Sequence, residues 1–190
     1  FLPEFDPFWA RIEEAGVRVA LHASDSGYQD YLNTWEGSRG EYVAFRPKTC
    51  AYGADGGRTI HDALASAICH GMLDRFPGVR LISVENGGSW VGLLARNLVT
   101  AWKKMPKEFP THPLEVLRRN VWINPFWEDD VNTVVEHMGA DRVIFGSDWP
   151  HIEGMPRPLD YAVEVKHFDD ADQQKILRDN ARELTARRPA

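Results

Sequence analysis

The sequence predicts an α/β domain built on a parallel sheet, and two observations predict it. Four short apolar runs, residues 17–21, 79–84, 121–125 and 142–147, alternate with segments whose apolar residues recur at helical spacing. Each run leads into a polar or ionisable residue: His22, Glu85, Asn124 and Asp148. Alternation of this kind makes the strands parallel, with helices as crossovers, so the four ends share one edge of the sheet. In α/β proteins chemistry gathers at that edge.

The elements follow in order. Asp6 is placed to cap a first helix, with Pro7 at its first position and Phe8, Trp9, Ile12 and Ala15 on one face up to Gly16. Residues 17–21 form the first strand, ending at His22. From Tyr28 to Arg58 the periodicity fails among five glycines, which suits a substrate loop or lid with room for a short helix. Thr59-x-x-Asp62 resembles a capping box, and Ile60, Leu64, Ala67, Ile68 and Met72 continue at helical spacing until Phe76-Pro77-Gly78. The second strand, 79–84, meets Glu85-Asn86-Gly87-Gly88. Ser89 is expected to cap a helix with Trp90, Leu93, Leu94, Leu98 and Trp102 inward, its last turn carrying Lys103-Lys104. A short helix over 113–119, a third strand over 121–125 and a helix opened by Asp129-Asp130 and stopped by Gly139 come next. The fourth strand, 142–147, delivers Asp148. Helices over 159–168 and 172–186 close the chain, the last with Ile176, Leu177, Ala181 and Leu184 inward.

Composition limits the function classes. A chain of 190 residues can bury one core, and 43% hydrophobic with 26% charged residues is ordinary for a globular domain. A net charge of -6 without a Lys/Arg cluster argues against nucleic acid as a partner. No apolar run reaches the ~20 residues of a membrane span, so no membrane partner is expected. Cys50 and Cys69 have no metal or redox spacing and read as free thiols of a reducing, cytoplasmic compartment.

Among the strand-end residues, His22 and Asp148 pair an imidazole with a carboxylate, a combination that suits zinc or another divalent metal. The competing readings are a His satisfied by a backbone carbonyl and an Asp capping the next turn. Glu85 is a candidate general base or further ligand, or else a carboxylate bonded to the Gly-Gly turn that follows it. Asn124 reads as structural. Trp90, Trp127 and Trp149 lie just beyond strand ends, where they either line an aromatic substrate pocket or pack in the core. His151 stands near the site as a supporting, substrate-side residue. Ser147 lacks the glycine-flanked elbow of a hydrolase nucleophile. The remaining histidines, at 61, 70, 112, 137 and 167, read as surface or packing.

Several motifs run in one order through the chain: Val19-Ala20-Leu21-His22, Phe76-Pro77-Gly78-Val79-Arg80-Leu81, Glu85-Asn86-Gly87-Gly88-Ser89-Trp90, Phe145-Gly146-Ser147-Asp148-Trp149-Pro150-His151 and Ile176-Leu177-Arg178-Asp179-Asn180-Ala181. Together they resemble the amidohydrolase superfamily, and within it the branch of aminocarboxymuconate semialdehyde decarboxylase. The resemblance implies a (β/α)₈ barrel with a divalent metal at the carboxyl ends of its strands. It maps the metal-binding His of the fifth strand onto His22. The eighth-strand Asp, which binds metal and handles a proton of the attacking water, maps onto Asp148. Where the sixth strand often carries a His, this chain has Glu85, so that role is not transferred. The His-x-His of the first strand is absent from these 190 residues.

The chain begins Phe-Leu-Pro-Glu-Phe, without Met, and only four strands are identifiable where a barrel has eight. The expectation is therefore a single partial domain over residues 1–190, the carboxyl-terminal half of a barrel, about strands five to eight. The parent enzyme would be a metal-dependent hydrolase or carboxy-lyase acting on a small-molecule substrate, an aromatic or unsaturated carboxylic acid. With two of its ligands, His22 and Asp148, the chain alone is expected to bind metal poorly and turn nothing over. Unpaired strand edges would favour a homo-oligomer. Two alternatives stand beside this: a non-catalytic half-barrel acting through self-association or a partner half, and an intact small α/β binding domain.

Overall fold

The computed structural model describes residues 1–23, 27–35, 37, 53, 57–152 and 154–186. Its centre is a three-stranded parallel sheet in the order β1 (Arg18–His22), β2 (Arg80–Val84), β3 (Val121–Ile123). The register pairs Arg18 with Arg80, His22 with Val84, and Ile82 with Trp122. Because side chains alternate along a strand, Leu81, Ser83, Val121 and Ile123 share the face buried beneath the helices, whereas Ala20, Ile82 and Trp122 share the other. The fold is thus α/β with a parallel sheet, as the alternation predicts.

The fourth run does not become a ladder strand. Val143 makes one parallel bridge to Ile123, and the Ile144 N–H donates to the Ile123 carbonyl at 2.9 Å. The other groups are engaged elsewhere. The Phe145 N–H donates to the Ile176 carbonyl, and the Val143 carbonyl accepts from Asn180 Nδ2 at 2.7 Å. With these backbone bonds directed at the carboxyl-terminal helical stretch, the run is extended but not a strand.

Helices cover the buried face. They are α1 (Asp6–Ala15), α2 (Tyr28–Trp35), α3 (Arg58–Cys69), α4 (Met72–Arg75), α5 (Val91–Lys104), α6 (Pro113–Asn120) and α7 (Val131–Met138). After α8 (Ala162–Val165), the chain ends in α9 (Asp170–Gln174), a π-helical turn over Lys175–Asp179, and α10 (Asn180–Thr185). Leu64, Met72, Leu73, Leu81, Leu94, Leu98, Leu117, Ile123, Met138 and Ile176 are fully buried between these helices and the sheet. Burial of this apolar surface is the main favourable contribution to the fold.

Several local expectations are corrected. Asp6 does not cap α1; its carboxylate instead holds Arg75 through Nε and Nη2 at 2.9 Å. The Thr59–Asp62 box does not form: α3 starts from Gly57 in the left-handed region, without a side-chain cap. Asp62 is occupied by the Tyr28 hydroxyl at 2.5 Å, which ties α2 to α3, and by its neighbour His61 Nδ1 at 2.9 Å. Burial opposes its charge, but Tyr28, His61 and Arg58 outweigh that and hold its carboxyl below the usual value. Ser89 is not the cap of α5, and Leu93 is exposed, its place on the inner face taken by Val91 and Ala95. The helical pattern expected to run from Ile60 to Phe76 breaks at His70-Gly71 into α3 and α4. Part of the 28–58 loop is the helix α2; most of the remainder, with Cys50, lies outside the described residues.

In the middle of β3, Trp122 meets two guanidiniums. Arg142 lies 4.7 Å and Arg80 5.6 Å from its ring centre.

Candidate functional site

The carboxyl edge of the sheet is built by backbone and amide bonds before any charged group enters. The Ala23 N–H donates to the Val84 carbonyl, continuing the β1–β2 pairing past His22. Asn86 Nδ2 donates to the carbonyls of Leu21 and Val84 at 2.8 and 2.7 Å, so one side chain staples both strand ends. Asp129 accepts from the N–H groups of Gly88 and Phe126, joining the turn after β2 to the turn after β3. A Cβ on Gly88 would lie 2.6 Å from Val134, so this turn can sit against α7 only as glycine.

On this frame Glu85 and Asp148 both adopt left-handed backbone, φ 56° and 54°. For residues other than glycine that conformation costs about 1–3 kcal/mol each and gathers at functional sites. Both carboxylates are met by imidazoles. His22 Nε2 lies 2.8 Å from Glu85 Oε2, and His151 Nδ1 lies 3.3 Å from Asp148 Oδ2. Exposed ion pairs of this kind contribute about 0–1 kcal/mol, too little to offset two such backbones. One donor atom each from Glu85, Asp148 and His151 lies within 4.8 Å of the other two. The His22 Nδ1 lies 2.6 Å from the Ala23 carbonyl, which accepts from it, and Nε2 is the atom directed at Glu85 in the site. Metal-binding imidazoles are oriented in this way.

Asp148 and His151 come from one tight turn. The His151 N–H donates to the Asp148 carbonyl at 2.8 Å, and the Met155 N–H returns to the Ser147 carbonyl at 2.8 Å. Gly154 passes so close that a Cβ would lie 2.4 Å from the Asp148 carbonyl oxygen. Asn124 supports the same turn from β3, its amide directed at the Ile144 and Pro125 carbonyls and packed against Gly146.

The four strand-end positions therefore converge, with Asn124 as a support. Of the aromatic candidates, Trp149 is 63% exposed and Trp127 is exposed as well. Trp90 is placed differently from the pocket expectation: it is 3% exposed, its indole N–H donates to the Asn86 and Gly87 carbonyls, and it packs in the core. Asn86, Asp129 and Gly154 were not singled out as positioning residues from sequence. Asn86 had a signal, since an Asn directly after a strand-end carboxylate and before Gly-Gly is well placed to bond local carbonyls. Gly154, in a proline-punctuated loop, had none. A surface cavity lined by Cys69, His70, Gly71, Asp74, Arg75, Glu108 and Pro110 includes no residue of this cluster.

A γ-resorcylate decarboxylase of Rhodococcus jostii is 25% identical over 192 residues, covering 96% of this chain and 54% of the relative. An amidohydrolase from Mycobacterium avium subsp. paratuberculosis superposes with TM-score 0.87 at 40% identity, over 98% of this chain and 46% of that one. A dihydroxybenzoic acid decarboxylase from Polaromonas, with bound manganese and 2-nitroresorcinol, shares the fold at TM-score 0.67 and 20% identity, over 96% of this chain and 54% of that one. The chain thus spans about half the length of the relatives it matches, and the decarboxylases among them are the branch its motifs resemble. A family model described as amidohydrolase matches residues 2–185. That match takes in β1 to β3, the turn of Asp148 and the helical stretch that holds it, and by it the chain belongs to the amidohydrolase family.

Proposed function

We propose that this chain is the half of a divalent-metal-dependent carboxy-lyase that carries strands five to eight of its barrel, and that the enzyme removes CO₂ from a small aromatic or unsaturated carboxylic acid. The observation that carries the reading is the convergence of His22, Glu85, Asp148 and His151 at one sheet edge. Their donors fit a divalent cation, zinc or the manganese named for the Polaromonas enzyme, with His22 and Asp148 as its holders. When bound, the cation supplies Lewis acidity toward the oxygens of the substrate. Asp148, in direct contact with His151, exchanges the proton: as the carbon–carboxylate bond breaks and CO₂ leaves, the substrate carbon takes up one proton. Glu85 faces the same space from β2, and the exposed Trp149 and Trp127 offer flat apolar surface to a planar ring. Small-molecule binding is thus expected at the carboxyl edge, and pairing along the outer edge of β1, with a second copy or with another half-barrel, accompanies this reading.

The test supplies the enzyme assembled from this half and the half bearing the other barrel strands with Mn²⁺ and carboxyl-¹³C-labelled hydroxybenzoates, 2,6-dihydroxybenzoate first, and follows the label by NMR; the chain alone is expected to release none. Label should appear as CO₂ and bicarbonate and should cease to appear with Asp148→Asn. Hydrolysis is the second reading, favoured by the 40% identical Mycobacterium protein being described as an amidohydrolase. Turnover of esters, amides or lactones with hydroxybenzoates left intact would select it.

A further inference from the structure

On the reading above the substrate is a carboxylate, yet the strand-end cluster offers it two carboxylates and two imidazoles and no permanent positive charge. We propose that Arg58 supplies that charge, as the specificity-determining residue that captures the substrate's carboxylate at the mouth of the site. This rests on the reading of the substrate as a small carboxylic acid and is independent of whether CO₂ is then removed or another bond hydrolysed.

Three observations carry it. The first is placement. α3 lies between the parallel strands β1 and β2 in the chain, so it starts at the carboxyl edge and runs back toward the amino edge, and Arg58 is its first residue. The preceding Gly57 lies against Trp90, where a Cβ would stand 2.3 Å from the indole Cδ1. The same indole donates to the Asn86 and Gly87 carbonyls, so the start of α3 is fastened to the turn that follows Glu85. The second is the state of the guanidinium. It lies 5.2 Å from the Tyr31 ring centre and 5.9 Å from that of Tyr28, and it makes no hydrogen bond to a described residue. Its ion-pair partner Asp62 is 3.9 Å away and already occupied, by the Tyr28 hydroxyl at Oδ2 and by His61 at Oδ1. Two rings and one charge thus hold the guanidinium in place while its N–H donors stay open, and the side chain is 50% exposed. A guanidinium needed only to tie α2 to α3 would use those donors for the tie, which the Tyr28–Asp62 bond already makes. The third is chemistry. A planar fork of donors, oriented by stacking, is matched by the two oxygens of a carboxylate. Beside the fork, the exposed Tyr31 and Trp35, edge to face at 6.4 Å, continue as aromatic surface for a ring. Glu85 and Asp148 repel an incoming carboxylate, so a cation outside them sets how readily an acid enters.

The test is equilibrium binding to the assembled, chelator-treated enzyme, in which no divalent cation competes with Arg58 for the carboxylate. Titration calorimetry compares 2,6-dihydroxybenzoate with resorcinol, the same ring without the carboxylate. The acid should bind at least about 10-fold more tightly than resorcinol, and Arg58→Gln should remove that advantage while leaving resorcinol unchanged. Arg58→Lys should restore part of it, because the charge is kept and the fork is lost. In the enzyme supplied with Mn²⁺, Arg58→Gln should raise KM for the acid at least about 10-fold with kcat little changed. An acid affinity unchanged in Arg58→Gln overturns the proposal. So does an equal loss for acid and resorcinol, the mark of a purely structural role, and so does an unaltered enzyme that binds the acid no better than resorcinol. Absence of labelled CO₂ with the Arg58→Gln effect on binding intact strikes the carboxy-lyase reading alone and supports Arg58 as the carboxylate's partner.

Discussion

β2 and the run over residues 143–148 do the same task by different means. Each delivers a carboxylate on left-handed backbone to the same edge of the sheet. β2 lies at the centre of the sheet, with a ladder on either side. The run to Asp148 has one bridge on one side, and on the other the Asn180 amide, which donates to the Ala140 and Val143 carbonyls at 2.7 Å, and the Ile176 carbonyl, which accepts from the Phe145 N–H. The lesson is that Glu85 is positioned by the sheet, whereas Asp148 is positioned by the carboxyl-terminal helical stretch.

Four substitutions test that difference. Leu81→Ala removes a fully buried side chain from β2 and should cost about 3–5 kcal/mol in denaturant unfolding; because β2 keeps both ladders, Mn²⁺ affinity of the folded fraction should stay near its starting value. Asn180→Ala removes the side-chain donor from two buried carbonyls, of which Ala140 keeps only the long bond from the Val143 N–H; this should cost about 1–3 kcal/mol and, unlike the first, should also weaken Mn²⁺ binding. If Mn²⁺ affinity is unchanged in folded Asn180→Ala protein, Asp148 does not depend on the helical stretch.

Gly154→Ala places a methyl against the Asp148 carbonyl, at 2.4 Å before relaxation. The loop must shift, so calorimetry should show a loss of about 1–3 kcal/mol, with a fall in Mn²⁺ affinity out of proportion to it. The smallest effect concerns Tyr161, which stacks on Phe145 at 4.6 Å. Its buried hydroxyl has no hydrogen-bond partner among the described residues, and burial, then Asp129 and Glu164, push it up to about 12. Tyr161→Phe should be neutral or stabilising by about 1 kcal/mol at pH 7. For an acid whose folded value is raised, the neutral form is favoured in the fold, so stability is lost as pH rises above the unfolded value of about 10. Thermal unfolding between pH 10 and 12 should show that loss in the unaltered protein and not in Tyr161→Phe.

The same contrast explains what the sequence made legible. β1, β2 and β3 announce themselves as apolar runs between breakers, and their hydrogen bonds go to one another. The run ending at Asp148 has the same local pattern. Its backbone bonds are diverted to residues more than thirty positions away, which no local period encodes. The cap signals at Asp6 and Asp62 failed for a related reason, because Arg75 and Tyr28 are distant competitors for those carboxylates. His22, Glu85, Asn124 and Asp148 were legible as strand ends. That Glu85 and Asp148 adopt left-handed backbone was not, since neither is glycine and the turns that impose it are assembled from other loops. Trp90 was ambiguous by nature: an indole just past a strand can cap the core or face a ligand, and here the Asn86 and Gly87 carbonyls draw it inward.

The contacts of Trp122 with Arg80 and Arg142 join the two elements that carry the carboxylates. Arg80 opens β2 and Arg142 leads into the run to Asp148, so one indole touches the start of both elements. The indole is thus a cross-tie between β2 and the run to Asp148, made away from the edge where Glu85 and Asp148 stand, and it links them through side chains where the run has a single backbone bridge to the sheet.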